Sequence, residues 1–376
     1  MGSRVFNVLF ISVFSVMLGL GIVVPLLPYY AESLGATGLW IGAIFSGFSL
    51  SRAVFMPLIG KLSDSRGRRF FILTGLLIFT ILSFIYIYAN SVYSLTAVRI
   101  VHGIASAMVI PVALAYIADL SPKGREGMYM GTFMASMFFG MGFGPLVGGV
   151  IRDMYGMEAV FISMAVLSFI SFLICLLFLP ESRGKYRQAS LKGALKNKVM
   201  RAILFFRAMN AFANGVFMVF LPVLGYLISL PSTQTGMLIS TSIFTTAILQ
   251  RRFGRFADNH NKAVLISAGS AIIAFCFLFI PFLKSFESLL LASLIIGIGG
   301  ALSMPSAMAL VTIAGREIGQ GTAMGAFNTA MSIGMITAPM IAGGIMDAMG
   351  IYHVFLVSGT ICFISIPAFL LMMKMK

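Results

Sequence analysis

Charge is scarce in this chain. Only 10% of its 376 residues are Asp, Glu, Lys or Arg, and only 11 are acidic, against 59% hydrophobic residues. A water-soluble protein of this composition would leave too much apolar surface exposed. Cysteine is nearly absent: Cys175, Cys276 and Cys362 lie in separate apolar runs without metal-ligand spacing, as small apolar fillers. No clustered His/Cys metal set occurs, and no Gly-x4-Gly-Lys-Ser/Thr phosphate loop. These absences exclude an enzymatic constellation and imply neither metal nor cofactor. The energy for any work comes from an ion or substrate gradient rather than from ATP hydrolysed by this chain. No cleavable leader is expected, because the first apolar run is long, lacks a small-residue cleavage site and leads into further runs.

Long apolar runs fill the space that charge leaves, and the mean hydropathy is +1.02. Twelve runs are about long enough to cross a bilayer core. The first six are 6–29, 40–59, 70–89, 94–118, 128–150 and 159–179. The second six are 200–221, 236–250, 263–283, 289–312, 321–343 and 354–373, the eighth with an earlier start near Pro231. The net charge of +15 does not mark a nucleic-acid surface, because the cations follow loop parity. Of the 26 Lys and Arg, Arg152 and Lys284 fall in loops on one side and Arg52, Arg99 and Arg207 fall within runs. All others fall on the opposite side, which the positive-inside rule makes cytoplasmic, with both termini. The fold class expected is therefore an all-α membrane protein, with twelve transmembrane helices in two six-helix bundles. Its expected setting is the plasma or inner membrane, as a monomer in the lipid bilayer.

Shifting the sequence by 194 residues aligns the halves without a gap. Pro28 meets Pro222, Gly42 meets Gly236, Asp64 meets Asp258, Pro111 meets Pro305, Pro145 meets Pro339, and Asp153 meets Asp347. Each half carries six runs, so the copies keep one orientation and form a parallel pseudo-twofold repeat. The expected domains are an N-terminal bundle over 1–179, a basic cytoplasmic linker over 180–199 and a C-terminal bundle over 200–376. The linker holds six cations against the single acid Glu181 and suits anionic lipid headgroups.

The block Gly60-x-Leu62-x-Asp64-x-x-Gly67-Arg68-Arg69 joins the second and third runs and recurs in part as Gly254 to Lys262. It resembles the signature loop of the major facilitator superfamily. Ser65 stands where that family often has a basic residue. The fifth run carries Gly131-x8-Gly140-x3-Gly144-Pro145-x2-Gly148-Gly149, similar to the pattern of the superfamily's drug:proton antiporter branch. In the second copy Ala338 and Ala342 replace two of these glycines. The first run adds Leu18-Gly19-x5-Pro25-x2-Pro28, a weaker likeness. The resemblance implies alternating access, substrate binding near midplane between the halves, and a gate built from Gly60, Asp64, Gly67, Arg68 and Arg69. It also implies Asp64 near Gly321, where a helix dipole is positive. Asp119, at the inner end of the fourth run, is the expected partner of Arg68.

Four further groups leave two readings each. Arg99 and His102 share one face of the fourth run with Ser106. The resemblance associates that arginine with proton transfer, and His102 replaces the usual glutamine. No acid lies deep in a run, so His102 is either the proton carrier or a histidine held by hydrogen bonds. Arg207, Asn210 and Asn214 form a polar stripe on the seventh run where the first copy has Val13, Val16 and Leu20. They contact substrate or tie helices together. Met137 and Met141, with Met130 and Met134, line a promiscuous pocket or fill space. The glycine pattern of the fifth run marks an export gate or ordinary helix packing. The function expected is export of small, hydrophobic compounds in exchange for protons. The alternative is a proton-coupled symporter or facilitator for a small metabolite. Few deep charges favour a hydrophobic, neutral or anionic compound, and Arg99 and Arg207 suit a negative group.

Overall fold

In hydrocarbon every backbone N–H and C=O must find a partner within the protein, which restricts spanning segments to helices and closed barrels. The computed structural model describes residues 2–122, 125–182 and 195–374, and among them it contains helices and no strand. The helices are α1 (Gly2–Val23), α2 (Leu27–Ser33), α3 (Gly38–Arg66), α4 (Arg68–Ile85), α5 (Val92–Leu120) and α6 (Glu126–Phe178). They continue as α7 (Lys198–Leu227), α8 (Ser232–Asn259), α9 (Lys262–Phe279), α10 (Phe286–Ile318), α11 (Gln320–Met349) and α12 (Ile351–Lys374).

Among the described residues, ten helical stretches are long and apolar enough to cross a bilayer. Two features reconcile them with twelve crossings. First, α6 has 53 residues, roughly 80 Å at the helical rise, enough for two crossings. It breaks at Gly156, whose φ of 83° and ψ of −178° reverse the chain. The loop expected between the fifth and sixth spans is therefore one left-handed residue, a conformation that glycine adopts without a Cβ penalty. Second, α8 is rich in Ser and Thr and falls short on apolarity, yet its 28 residues are long enough to span. It starts at Ser232 rather than Gly236, as the earlier start near Pro231 allowed.

The Gly60–Arg69 block is not a loop. Residues 60–66 continue α3, and Gly67 alone, with φ 108°, turns the chain into α4. The residue that permits the sharp exit is thus Gly67. The second copy solves the same turn differently. Asn261 keeps φ at −65° and caps α9 through its side chain, which accepts from the amides of Ala263 and Val264.

The described chain falls into two compact units. One comprises Met1–Ala36, Ala43–Tyr186 and Pro231–Ser240; the other comprises Thr37–Gly42, Arg187–Leu230 and Thr241–Lys376. Each unit thus takes a short helix start from the opposite half of the sequence. In the first unit a core of Val13, Leu76, Phe79, Ala113, Tyr116 and Phe133 joins α1, α4, α5 and α6. In the second, Ile203, Val311, Ala323 and Phe327 join α7, α10 and α11. Most of the basic linker, residues 183–194, lies outside the described residues.

The two glycines of the block should respond differently to a methyl group. At Gly67 a Cβ would meet the Glu181 carboxylate at 2.5 Å and the backbone is left-handed; at Gly60 nothing lies within 4 Å. Gly67→Ala should destabilise the protein by about 1–3 kcal/mol. Gly60→Ala should stay within about 0.5 kcal/mol or stabilise slightly. Thermal unfolding of the purified protein followed by size-exclusion chromatography reads both.

Candidate functional site

Charge gathers where α3 ends and α4 begins. Arg68 is only 4% exposed, an expensive state for a cation without partners. Its guanidinium bonds Asp64 one turn earlier at 3.0 Å and ion-pairs with Asp119 at the end of α5 at 2.8 Å. Two carboxylates from two helices therefore hold one planar cation, a geometry that suits arginine better than lysine. Glu181 closes the cluster from beyond α6. Its carboxylate accepts from the amides of Arg69 at 3.0 Å and Ser182 at 2.9 Å, and so caps the start of α4. The amide of Arg68 donates to the carbonyl of Ser182, and Arg69 donates its guanidinium to the carbonyl of Leu176. The expected approach of Asp64 to Gly321 falls on a residue whose side-chain environment lies outside the described residues.

The glycine pattern of the fifth span forms a groove for α1. Gly140 lies against Phe14, Met17 and Leu18, Gly144 against Gly21 and Ile22, and Gly148 against Ile22. These three glycines, four residues apart, bring two backbones into contact, as small-residue spacing does in membranes. Gly149 faces another way, onto Ser232 and Thr233 at the start of α8, while Gly131 has nothing within 4 Å. In the second copy Gly334 lies against α7, and Gly215 makes room for the Ala338 methyl. Pro145 sits inside the helix, which stays helical around it.

Deeper in α5, Arg99 is 2% exposed and His102 is fully buried. The Arg99 guanidinium lies over Phe48 at 4.2 Å and Phe45 at 5.3 Å, so aromatic faces rather than a carboxylate face the cation. His102 Nδ1 meets the Tyr86 hydroxyl at 2.9 Å, and Phe48, Phe79 and Tyr86 enclose its ring edge to face. Nε2 of His102 and the Ser106 hydroxyl are buried without a hydrogen-bond partner among the described residues.

In the second unit, Arg207 donates to the Asn210 side chain at 3.1 Å and lies over Phe327 at 4.9 Å, with Met304 Sδ at 3.7 Å. Asn214 bonds the carbonyl of Asn210 at 2.9 Å and is exposed. Met137 and Met141 are half-buried and pack against the core of the first unit.

The Major Facilitator Superfamily sequence model matches this chain over residues 9–208 and again over 203–375. The chain belongs to the major facilitator superfamily. It is 32% identical over 358 residues to an uncharacterized MFS-type transporter of Methanocaldococcus jannaschii, covering 93% of this chain and 92% of that protein. It is 26% identical over 374 residues to the multidrug resistance protein MdtG of Proteus mirabilis, covering 93% and 90%. A bacterial homologue of the human lysosomal transporter Spinster, inward-facing and occupied, shares the fold with a TM-score of 0.83 at 16% identity, over 99% of this chain and 97% of that one. The chain is thus a membrane transporter and not an enzyme, and the twelve-span, two-bundle architecture is that of its superfamily.

Three features of this superfamily member escaped the sequence reading. Glu181 passed as the lone acid of a basic linker, although it caps α4. Tyr86 gave no signal, because its partner His102 comes from the next helix. Asp153 and Asp347 appeared as aligned residues of the repeat, and that alignment was the signal available.

The glycine groove makes a graded prediction. A methyl at Gly144 would run into the backbone of α1, whereas one at Gly131 meets open space. Gly144→Ala should destabilise the fold by about 1–3 kcal/mol, the usual size of overpacking. Gly131→Ala should leave stability and folded yield unchanged. Equal melting temperatures for the two variants would contradict the groove.

Proposed function

We propose that this transporter is an exporter of small hydrophobic compounds, of the multidrug type, working by alternating access in exchange for protons. The observation that carries the reading is the Asp64–Arg68–Asp119 cluster, locked by Glu181 at the junction of α3 and α4. A buried cation shared by two carboxylates has two states, paired and unpaired, and leaving Arg68 with neither partner is costly because it is only 4% exposed. Such a group acts as a clamp that holds one end of the transporter until substrate or proton binding offsets its loss. The gate would comprise Gly60, Asp64, Gly67, Arg68, Arg69 and Asp119. The similarity to a multidrug resistance protein and the full glycine pattern on α6 support outward transport.

Substrate contact is assigned separately to each unit. Arg207, Asn210 and Asn214 offer a cation and amides on α7, and Met137 and Met141 offer adaptable apolar surface on α6. Proton coupling is assigned to the Arg99–His102 pair. A proton on His102 would place a second cation beside Arg99, so protonation and displacement of Arg99 from its phenylalanine seat are coupled by like-charge repulsion. The transporter would lie in the plasma or inner membrane as a monomer, with both termini cytoplasmic, on the charge bias of its loops. A proton-coupled symporter or facilitator for a small metabolite is the second reading, favoured by the absence of any acid deep in the spans.

Inverted membrane vesicles separate the two. With an imposed gradient, acidic inside, the protein should accumulate lipophilic dyes, and a protonophore should abolish the accumulation. Accumulation unaffected by the protonophore would rule out proton antiport. Asp64→Asn should reduce turnover to background while leaving membrane insertion intact; wild-type flux would refute the clamp. His102→Gln should flatten the pH dependence of transport. An unchanged profile would assign the proton to another group.

A further inference from the structure

The Gly-x3-Asp-x2-Gly spacing of the α3–α4 junction occurs three times along the chain, and once more with asparagine in place of the last glycine. After Gly60, Asp64 and Gly67 come Gly149, Asp153 and Gly156, then Gly254, Asp258 and Asn261, then Gly343, Asp347 and Gly350. The second and fourth copies place their carboxylates on the starts of other helices. Asp153 Oδ1 accepts from the amide of Ser232 at 3.1 Å, and its Oδ2 accepts from the amide and hydroxyl of Thr233, both at 2.7 Å. Asp347 Oδ1 accepts from the amide of Gly38 at 2.5 Å, and its Oδ2 accepts from the amide of Leu39 at 2.8 Å. Every residue in one grip has its counterpart 194 positions away in the other: 153 with 347, 38 with 232, and 39 with 233.

The surroundings repeat as well. Gly149 lies against Ser232 and Gly343 against Gly38; Gly236 lies against Pro145 and Gly42 against Pro339. The close approach of backbones lets a short aspartate reach two free amides of a helix start, where the helix dipole also favours negative charge. One difference breaks the symmetry. Arg152 bonds the Ser232 hydroxyl and lies over Tyr29 at 4.4 Å, whereas its counterpart is Met346.

Each grip joins the two halves of the sequence. Asp153 belongs to the first half and caps α8 of the second; Asp347 belongs to the second half and caps α3 of the first. The segments that the compact units take from the opposite half, 231–240 and 37–42, are the ones these carboxylates hold. The grip at Gly38 also stands at the opposite end of α3 from Asp64. Its 29 residues span about 44 Å, more than a hydrocarbon core.

We infer that Asp153 and Asp347 are a matched pair of positioning residues for the transport cycle, a two-part latch at the membrane side opposite the Asp64–Arg68–Asp119 clamp. Opening at that side requires both carboxylates to release their helix starts. Each contributes one charged helix cap, and the two act independently because they share no partner. The inference rests on membership of a transporter family, not on the direction of export.

Paired spin labels test it without any flux measurement, so its failure is distinct from failure of the export reading. Cys175, Cys276 and Cys362 are buried, so labels go to introduced cysteines. Ser33→Cys with Leu227→Cys reports the latch side, and Ser65→Cys with Asn259→Cys reports the clamp side; all four positions are exposed. In protein reconstituted into lipid nanodiscs, Asp153→Asn and Asp347→Asn should each raise the long-distance population at the 33–227 pair by about fivefold, the size of one lost cap. The double variant should approach the product, about 25-fold, with the clamp-side pair moving toward shorter distances. Thr233→Val, which removes only the hydroxyl donor, should shift the same population in the same direction by less, and serves if an Asn variant does not fold. Unchanged distance distributions in folded variants, with or without a lower melting temperature, would overturn the latch. So would a shift confined to the clamp-side pair.

Discussion

The structure depends on where a carboxylate can be afforded in a chain that lives in hydrocarbon. Helix ends are the places where ionised acids meet free backbone amides and cations near water, and the described acids stand there. Asp64 and Asp119 hold Arg68, Glu181 caps α4, and Asp153 and Asp347 cap α8 and α3. These bonds differ in kind from the apolar contacts along the spans. Lipid tails are as apolar as leucine, so burial of apolar surface gives helices little reason to associate. Small residues supply contact by shape, and the end carboxylates supply contacts that can be made and broken.

The division of labour follows from this. The Gly140–Gly144–Gly148 groove presses α6 against α1 with two backbones touching, an arrangement with no room for adjustment. Close-packed contacts of this sort move as one body. A charged cap has geometry that switches: its donors can turn to water or to another acceptor at modest cost. The glycine pattern of the fifth span thus serves a rigid purpose within one unit at three of its positions. Gly149, one residue on, belongs instead to the contact with the start of α8.

Much of this was legible in the sequence. Twelve apolar runs, a 194-residue repeat and biased loops are one-dimensional signals, and the fold follows from them. The pairing of Arg68 with Asp119 could be anticipated because both fall at the same membrane side. Boundaries were less legible. Residues 60–66 look like a connector because they are polar, yet a span can extend past the lipid as a helix, and only Gly67 breaks it. Gly156 shows the opposite error, an expected loop that reduces to one residue. The grips of Asp153 and Asp347 were hidden because their partners are distant in sequence and are backbone amides, which carry no residue identity. His102 and Tyr86 show the same limit for a contact between neighbouring helices.

If Asp153 and Asp347 latch one end of the transporter and the Asp64–Arg68–Asp119 cluster clamps the other, the two sets of carboxylates release in opposition. Hydrogen–deuterium exchange of the protein in lipid nanodiscs tests this most directly, with peptides covering 36–44, 229–238 and 62–72. Exchange is compared between low and high pH and with a transported dye. Segments 36–44 and 229–238 should gain or lose protection together, while 62–72 changes in the opposite sense. Independent changes in the first two segments, or all three moving together, would contradict it.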